Sequence, residues 1–589
     1  MEALSDRKLT SRQFFRLLPI QVLLVMVQSV NGIISSIFGS NFANPSTMSA
    51  MGLYSPIGLL IATISGILVS GSQIMCGKYM GRNQVERTQR VFSLDIKLSI
   101  VISILITGIM LAFSLAGGSA VFTDDAEDRA ELTKYMYGQA VGILPFVLGS
   151  QFFAFLSLEN QNRRTMIATI ADIVVNLVAN VVLVVGLKMG TFGVSLACSL
   201  GSIAFLLVQA QYYLAGKSSM KYLRTGPVMK DFKDVLKMGY PGGLVNLYQT
   251  IRGLIVNALI VHYVGSAGLR ALTASGAVLG VLWALPNGFV AVSRMLMSVA
   301  IGEEDRTSLA DIMRVVVRRC IPLMCLVCGA VIALGEPLTN LFFHDSSEPV
   351  YDMTVMAFRL LPICMPLSVF AMNFTCYSQT IGRQGIIHVE SFLDGVVCVA
   401  GFSALLVPVI KMNGVYLANI LNGIVCLLLF VVYAIIRLKR FPRNMEELMV
   451  IPETLGVAGN ERMDITVRRM EEVTDVSEKV IEFCRKHGVD ERRSFFAGLF
   501  LEEMAGNVVG HGFGKDRKKH TVDIRVIHKA QDVILRIKDD CIPFDPKERM
   551  SMVTDDDPVR NIGIRIVYNS AAEVNYQSIL GLNVLMIRI

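Results

Sequence analysis

The sequence predicts an α-helical polytopic membrane unit of about twelve spans, in two six-helix repeats, joined to a C-terminal two-layer α/β sandwich. Three observations predict it. Hydrophobic residues make up 53% of the chain, charged residues only 17%, and the mean hydropathy is +0.53, whereas soluble domains carry about 25% charged residues. Apolar stretches of the roughly 20 residues needed to cross a bilayer core recur with short polar breaks between them. Charge is also unevenly placed: residues 441–589 hold 22 Lys/Arg and 25 Asp/Glu, leaving 33 and 23 for the first 440. An apolar basic part is therefore joined to a charged, weakly acidic one, and the net +7 reflects membrane topology and does not point to nucleic acid.

The spans are expected near 17–40, 50–76, 94–117, 135–158, 167–187, 193–215, 240–263, 271–298, 320–343, 354–379, 389–410 and 415–436. Alternate breaks differ in charge. One set carries Arg7, Lys8, Arg12 and Arg16, then Lys78 to Arg90, Arg163 and Arg164, Lys217 to Lys237, Arg306 to Arg319, and Arg437 to Arg440. The other set is nearly free of basic residues. The positive-inside rule then predicts a plasma-membrane protein with both termini cytoplasmic. The basic N-terminus leads into a long apolar stretch without a cleavage site, so a retained first span is expected. Eleven cysteines, mostly single inside apolar runs, predict neither a disulfide framework nor a zinc site.

An internal repeat appears at an offset of 221 residues. Gly32 matches Gly253, Gly81 matches Gly302, Phe122 and Asp124 match Phe343 and Asp345, Pro145 matches Pro366, and Gly193-Val194 match Gly414-Val415. Glycine, proline and aspartate held at one offset across six helices mark two halves, 1–216 and 217–440. With an even number of spans each, the halves enter the membrane in the same orientation, an arrangement that frames a midplane cavity in many secondary transporters.

These halves, with GSQIMCGKYMGRNQVERTQRVF after the second span and MGTFGVSLA entering the sixth, resemble the multidrug and toxic compound extrusion (MATE) family over residues 10–440. The resemblance implies antiport of a small amphipathic or cationic substrate for sodium or protons, within membrane lipid. It also implies a carboxylate on the first span and an Asn/Asp pair on the fifth, where this chain has Asn31, Asn176 and Asn180. An amide can ligate sodium but cannot titrate. The ionisable residues left within apolar runs are Asp172, Arg252, Glu390 and Asp394; each is expected to face a cavity or a partner, although Asp172 and Glu390 have an alternative place at helix ends.

After a linker at 441–460, the pattern turns to alternating and amphipathic segments: strands at 462–469, 520–528, 532–538, 573–578 and 583–589, and helices at 472–488, 490–512 and 560–571. Neither a Walker loop nor a dinucleotide fingerprint is present. In LEEMAGNVVGHG, Glu503, Asn507 and His511 fall on one helical face at i, i+4 and i+8; a carboxylate and an amide oxygen so placed suit a proton acceptor and a Mg²⁺ ligand beside phosphates. The strand VILRIKDD ends in Asp539, and Gly563 lies at the start of a helix, where backbone amides can approach an anion.

In this order and spacing these segments resemble the GHKL (Bergerat-fold) ATPases, most closely the anti-sigma-factor serine kinases, over 460–589. The resemblance implies Mg-ATP as ligand, Glu503 as general base, Asn507 as magnesium ligand, Asp539 as the adenine contact, a lid at about 546–560 and a cytoplasmic protein partner. Cys541, Pro543 and Asn561 stand where the family has glycines, which predicts slow turnover. The combination reads as an ion-coupled efflux transporter with a nucleotide-binding regulatory domain. A membrane-bound serine kinase whose spans sense a ligand, and a lipid or glycan flippase, are the alternatives.

Overall fold

A computed structural model describes residues 6–589 apart from 45, 123–124, 224–228, 341, 344–346, 458, 514–519, 530–531, 544 and 548–561. Twelve helices are long and apolar enough to cross a membrane. Spans 1 to 6 are Thr10–Gly39, Thr47–Gly81, Val85–Leu115, Ala126–Leu158, Asn162–Gly186 and Gly190–Leu214. Spans 7 to 12 are Asp231–Tyr263, Ala267–Gly302, Arg306–Ala333, Pro349–Ile381, Gln384–Ile410 and Met412–Leu438. Several extend beyond the apolar runs at one end. Span 9 is the clearest case: the arginine-bearing stretch before residue 320, expected as a loop, continues the helix from Arg306, with Arg314 paired to Asp311 one turn back. The cysteines are all free, including Cys325 and Cys328, one turn apart in span 9.

The two halves meet tightly near the membrane face that carries the C-terminal domain, here the domain face. Gly81 at the end of span 2 and Gly302 at the end of span 8 are repeat partners, and they pack reciprocally. A methyl group on Gly81 would overlap the Val299 carbonyl, and one on Gly302 would overlap the Lys78 carbonyl. Only bare backbone permits so close an approach. One helical turn inward, Gly77 accepts the Ser298 side chain in the same way.

The C-terminal domain is a five-stranded antiparallel sheet in the order β1 (Arg462–Val467), β2 (Val522–Lys529), β3 (Asp532–Asp539), β5 (Leu582–Arg588), β4 (Glu573–Ile579). The helices Glu471–Lys486, Glu491–Gly512 and Ile562–Ser570 cover one face. Because strand side chains alternate, Val533, Leu535 and Ile537 enter the helix-side core, while Arg536 and Lys538 point to the other face. That second face is not left to solvent. It rests on the membrane unit, and Ile579 and Leu580 of the β4–β5 turn join the core of the spans.

Candidate functional sites

The nucleotide-site residues converge on the helix side of the sheet. Asp539, at the end of β3, is buried; its Oδ1 accepts from the Cys541 amide at 2.9 Å and from Asn583 Nδ2 at 2.7 Å. Burial pushes the Asp539 carboxyl up, although the Asn583 and Cys541 bonds work in the opposite direction. Asn583 sits directly opposite Asp539 in the β3–β5 register, and Tyr576 of β4 donates to its Oδ1 at 3.1 Å. Sequence reasoning missed both, because a cross-strand partner 44 positions away leaves no local motif.

Glu503 and Asn507 lie half-buried on the helix Glu491–Gly512, with His511 exposed near its end. Gly563, in the first turn of the helix Ile562–Ser570, lies against the Glu503 carboxylate, which fills the space a Cβ would need. Glu503 and Gly563 are therefore brought together as the motifs predict. The departures from the family pattern are accommodated: Cys541 is buried with its Sγ only 3.0 Å from where a Cβ on Gly512 would be, so that glycine makes room for it. Pro543 is exposed. The expected lid falls almost entirely at 548–560, outside the described residues, as does Asn561.

In the first membrane half, span 5 carries Asp172 ten residues from its start, about 15 Å along the axis, so the helix-end placement is ruled out for this residue. Asn31 of span 1 lies next to the Asp172 carboxyl, and a Cβ on Gly201 of span 6 would overlap that carboxyl. Asn176 and Asn180 are fully buried, and Asn180 Nδ2 donates to the Asn176 carbonyl at 2.9 Å. Oxygens of Asn31, Asp172 and Asn180 are buried without a hydrogen-bond partner. Each of these oxygens can accept a hydrogen bond or ligate a cation.

In the second half, Asp394 sits in a π-helical turn, Leu393–Val397, accepts from Asn422 Nδ2 at 2.7 Å, and offers its carbonyl to Arg252 at 3.4 Å. Glu390, one turn earlier, is buried. Sequence reasoning also missed Asp95. The expected span 94–117 puts it at an edge, yet span 3 begins at Val85 and Asp95 is wholly buried, accepting from Ser72 Oγ at 2.6 Å.

A third constellation lies between the two units, where an acidic triplet follows span 8. Asp305, with its side chain 2% exposed, pairs with Arg525 of β2 and lies 3.8 Å from Lys538 of β3. Glu303 pairs with Lys538 and Glu304 with Lys529 at 2.7 Å, and Arg536 donates to the Glu303 carbonyl at 3.0 Å. The first half is held as well. Arg12 pairs with Asp540 at 2.9 Å, Gln13 donates to the Leu580 carbonyl at 3.1 Å, and the Leu580 amide donates to the Leu158 carbonyl at 3.2 Å. Gly581 turns the chain at φ +81°, tight against Arg16 and Asn160.

Comparison with known proteins agrees with this division. The chain matches the MatE family over residues 21–182 and again over 241–403, more than half its length, and the histidine kinase-like ATPase domain over 466–589. The multidrug export protein MepA of Staphylococcus saprophyticus is 20% identical over 404 residues, 66% of this chain and 84% of the relative. MepA of Staphylococcus aureus is 18% identical over 389 residues, 64% and 82% of the two chains. Among solved structures, an outward-facing multidrug resistance MATE family transporter superposes with a TM-score of 0.67 at 18% identity, covering 73% of this chain and 96% of that one. A MOP superfamily transporter from Pyrococcus furiosus superposes at 0.66 and 20% identity, over 71% and 94%. Each half of the membrane unit thus carries the MatE fold, and the chain belongs to the MatE family, with a histidine kinase-like ATPase domain following its twelfth span.

Proposed function

We propose that this protein is a secondary efflux transporter of small amphipathic cations whose output is set by nucleotide bound to its C-terminal domain. The observation that carries the regulatory part is the docking of one domain across both halves, on the face where those halves are in glycine contact. Alternating access needs the halves to part at that face, and a domain fastened to span 1 and to the turn after span 8 resists the parting. The basic breaks lie on the domain face, so the positive-inside rule makes that face cytoplasmic, where ATP is available. The multidrug export named for the MepA relatives supports efflux of small molecules.

For coupling, the buried oxygens of Asn31, Asp172 and Asn180 suit sodium or a proton carried on Asp172. Asp394 is its near counterpart in the second half, with Arg252 beside it. In the C-terminal domain the residues present fit Mg-ATP: a buried carboxylate for an exocyclic amine, a half-buried amide oxygen for magnesium, and a glycine backbone at a helix start for phosphate. Bound Mg-ATP supplies a transferable phosphoryl group. With it bound, Asp539, held by Asn583, would read the base, Glu503 would accept the proton of the attacking hydroxyl, and Asn507 would offer its amide oxygen to the metal.

The test is substrate efflux from proteoliposomes under a sodium or proton gradient, with and without Mg-ATP on the domain side. Nucleotide should change the rate. Glu503→Ala should keep the nucleotide effect while phosphoryl transfer to a serine substrate falls by about 10² to 10⁴. Gradient-driven efflux that ignores nucleotide would overturn the regulatory assignment, and no gradient-driven flux at all would favour the sensor-kinase alternative.

A further inference from the structure

A cavity of about 1070 Å³ opens where spans 11 and 12 reach the domain face, roofed by the linker that leads into the C-terminal domain. Its walls carry four arginines, Arg306, Arg383, Arg437 and Arg440, against three glutamates, Glu446, Glu447 and Glu453. Two of the arginines are committed. Arg440 is held by both oxygens of Glu447 at 2.7 and 2.8 Å, and Arg306 lies 3.8 Å from Glu446 and donates to the Pro452 carbonyl at 2.9 Å.

Arg383 and Arg437 are different. Among the described residues no carboxylate pairs with either. They flank one aromatic ring, with guanidinium carbons 5.9 and 5.6 Å from the centroid of Tyr433. Arg383 further donates to the carbonyls of Met449 and Val450. Two cations therefore share one aromatic ring, Arg383 held in addition by backbone, with guanidinium donors left over.

Their depth narrows the ligand. Arg383 immediately precedes span 11 and Arg437 lies in the last turn of span 12, the level at which phospholipid phosphates sit. Further into span 11 the lining turns apolar, with Ile386 and Val389; Val389 is 49% exposed. The repeat supplies a comparison. Tyr212 is the counterpart of Tyr433 and carries one arginine, Arg164, at 5.2 Å. There the corner is filled by the chain itself: Glu159 accepts from the Ser218 and Ser219 hydroxyls and from the Ser219 and Met220 amides. The fold thus does not require an open basic corner, and the second half has one.

We infer that this cavity is a binding site for an anionic phospholipid, its phosphate between Arg383 and Arg437 and an acyl chain along Ile386 and Val389. Basic pockets between spans on the cytoplasmic side take such headgroups, and the volume is of ligand-site size. A lipid there touches span 11, span 12 and the linker together, so it fixes the linker from which the nucleotide domain hangs.

Native mass spectrometry of the full chain, titrated with phosphatidylglycerol or phosphatidylcholine, tests this. The unaltered protein should retain phosphatidylglycerol over phosphatidylcholine. Arg437→Gln should weaken the preference about fivefold, the worth of one basic residue near a membrane surface, with Arg437→Lys restoring most of it and Arg164→Gln changing nothing. Equal retention of the two lipids, or an unchanged preference in Arg437→Gln, would overturn the site. Competition on the unaltered protein removes the dependence on any variant's folding: short-chain phosphatidylglycerol should displace bound lipid and inorganic phosphate should not. Displacement by phosphate alone would make this a free-anion site and defeat the lipid assignment.

Discussion

Asp539 has to act as a carboxylate where burial opposes its charge. Its folded pKa is raised above the ordinary value, so its ionisation costs stability: the cost is absent below the unfolded pKa of about 4 and grows as pH rises through the folded one. Asp539→Asn removes that cost, and the amide oxygen can still accept from Cys541 and Asn583. What it loses is an acceptor for the adenine amine, leaving a polar pair unmatched for about 1 to 3 kcal/mol. Asp539→Asn is therefore expected to raise or preserve the thermal midpoint of the domain at neutral pH while weakening nucleotide binding by roughly 10- to 100-fold. Calorimetry with a non-hydrolysable ATP analogue, beside thermal unfolding, separates the two; unchanged affinity would remove Asp539 from the site. At this scale the candidate site was legible where its residues share a helix or strand, as Glu503 and Asn507 do. It was illegible where the partner arrives from another strand, as Asn583 does, or where a helix runs on through charged turns, as at Asp95.

Among elements, the helix ends at Gly81 and Gly302 set how the halves close. Hydropathy located all twelve spans but stopped short at the domain face, because arginine-bearing turns read as loop although ion pairs such as Arg314–Asp311 keep them helical. The glycine pair was visible as a repeat match, yet its meaning needed the packing. A Cβ at either position collides with a backbone carbonyl, which cannot move aside as a side chain can. The Gly81→Ala, Gly302→Ala double variant should therefore part the ends of spans 2 and 8 and favour the state open to the domain face. Spin-label distances across those ends should lengthen and exchange should slow by tenfold or more, about 1.4 kcal/mol in the conformational equilibrium; an unaltered distance distribution would show that this contact does not hold the closed state.

On the scale of the whole molecule, the sheet of the C-terminal domain spends its second face on the transporter. The signal for this in the sequence was an oddity: Glu303, Glu304 and Asp305 interrupt breaks that are otherwise basic, while Arg525, Arg536 and Lys538 alternate along strands as solvent-facing residues do. Only the three-dimensional arrangement pairs them. Burial opposes the charge on Asp305, but Arg525, Lys538 and the Ser308 bonds outweigh it and hold the carboxyl well below the usual range. A depressed pKa contributes stability that is present above the unfolded value and lost only as pH falls through the folded one, so the Asp305 contact should be constant from pH 6 to 8. Asp540 offers a different control. It neighbours Asp539 and is bound to Arg12 of span 1, so under the proposed regulation a change at the nucleotide site would be passed to the contact with the first half while the Asp305 contact anchors the second. Asp305→Asn removes one charge from a buried cluster and leaves Arg525 to Asp464 and Lys538 to Glu303, so the loss should fall at or below the low end of the range for a broken buried pair, about 3 kcal/mol. The domain should then detach from the second half with its own nucleotide affinity intact, since Asp305 lies outside that domain. Transport should continue under an ion gradient but lose its response to Mg-ATP. Asp305→Asn transporters that still respond to nucleotide as the unaltered protein does would mean that the signal does not cross this interface, and that control passes through Arg12 alone or through the linker.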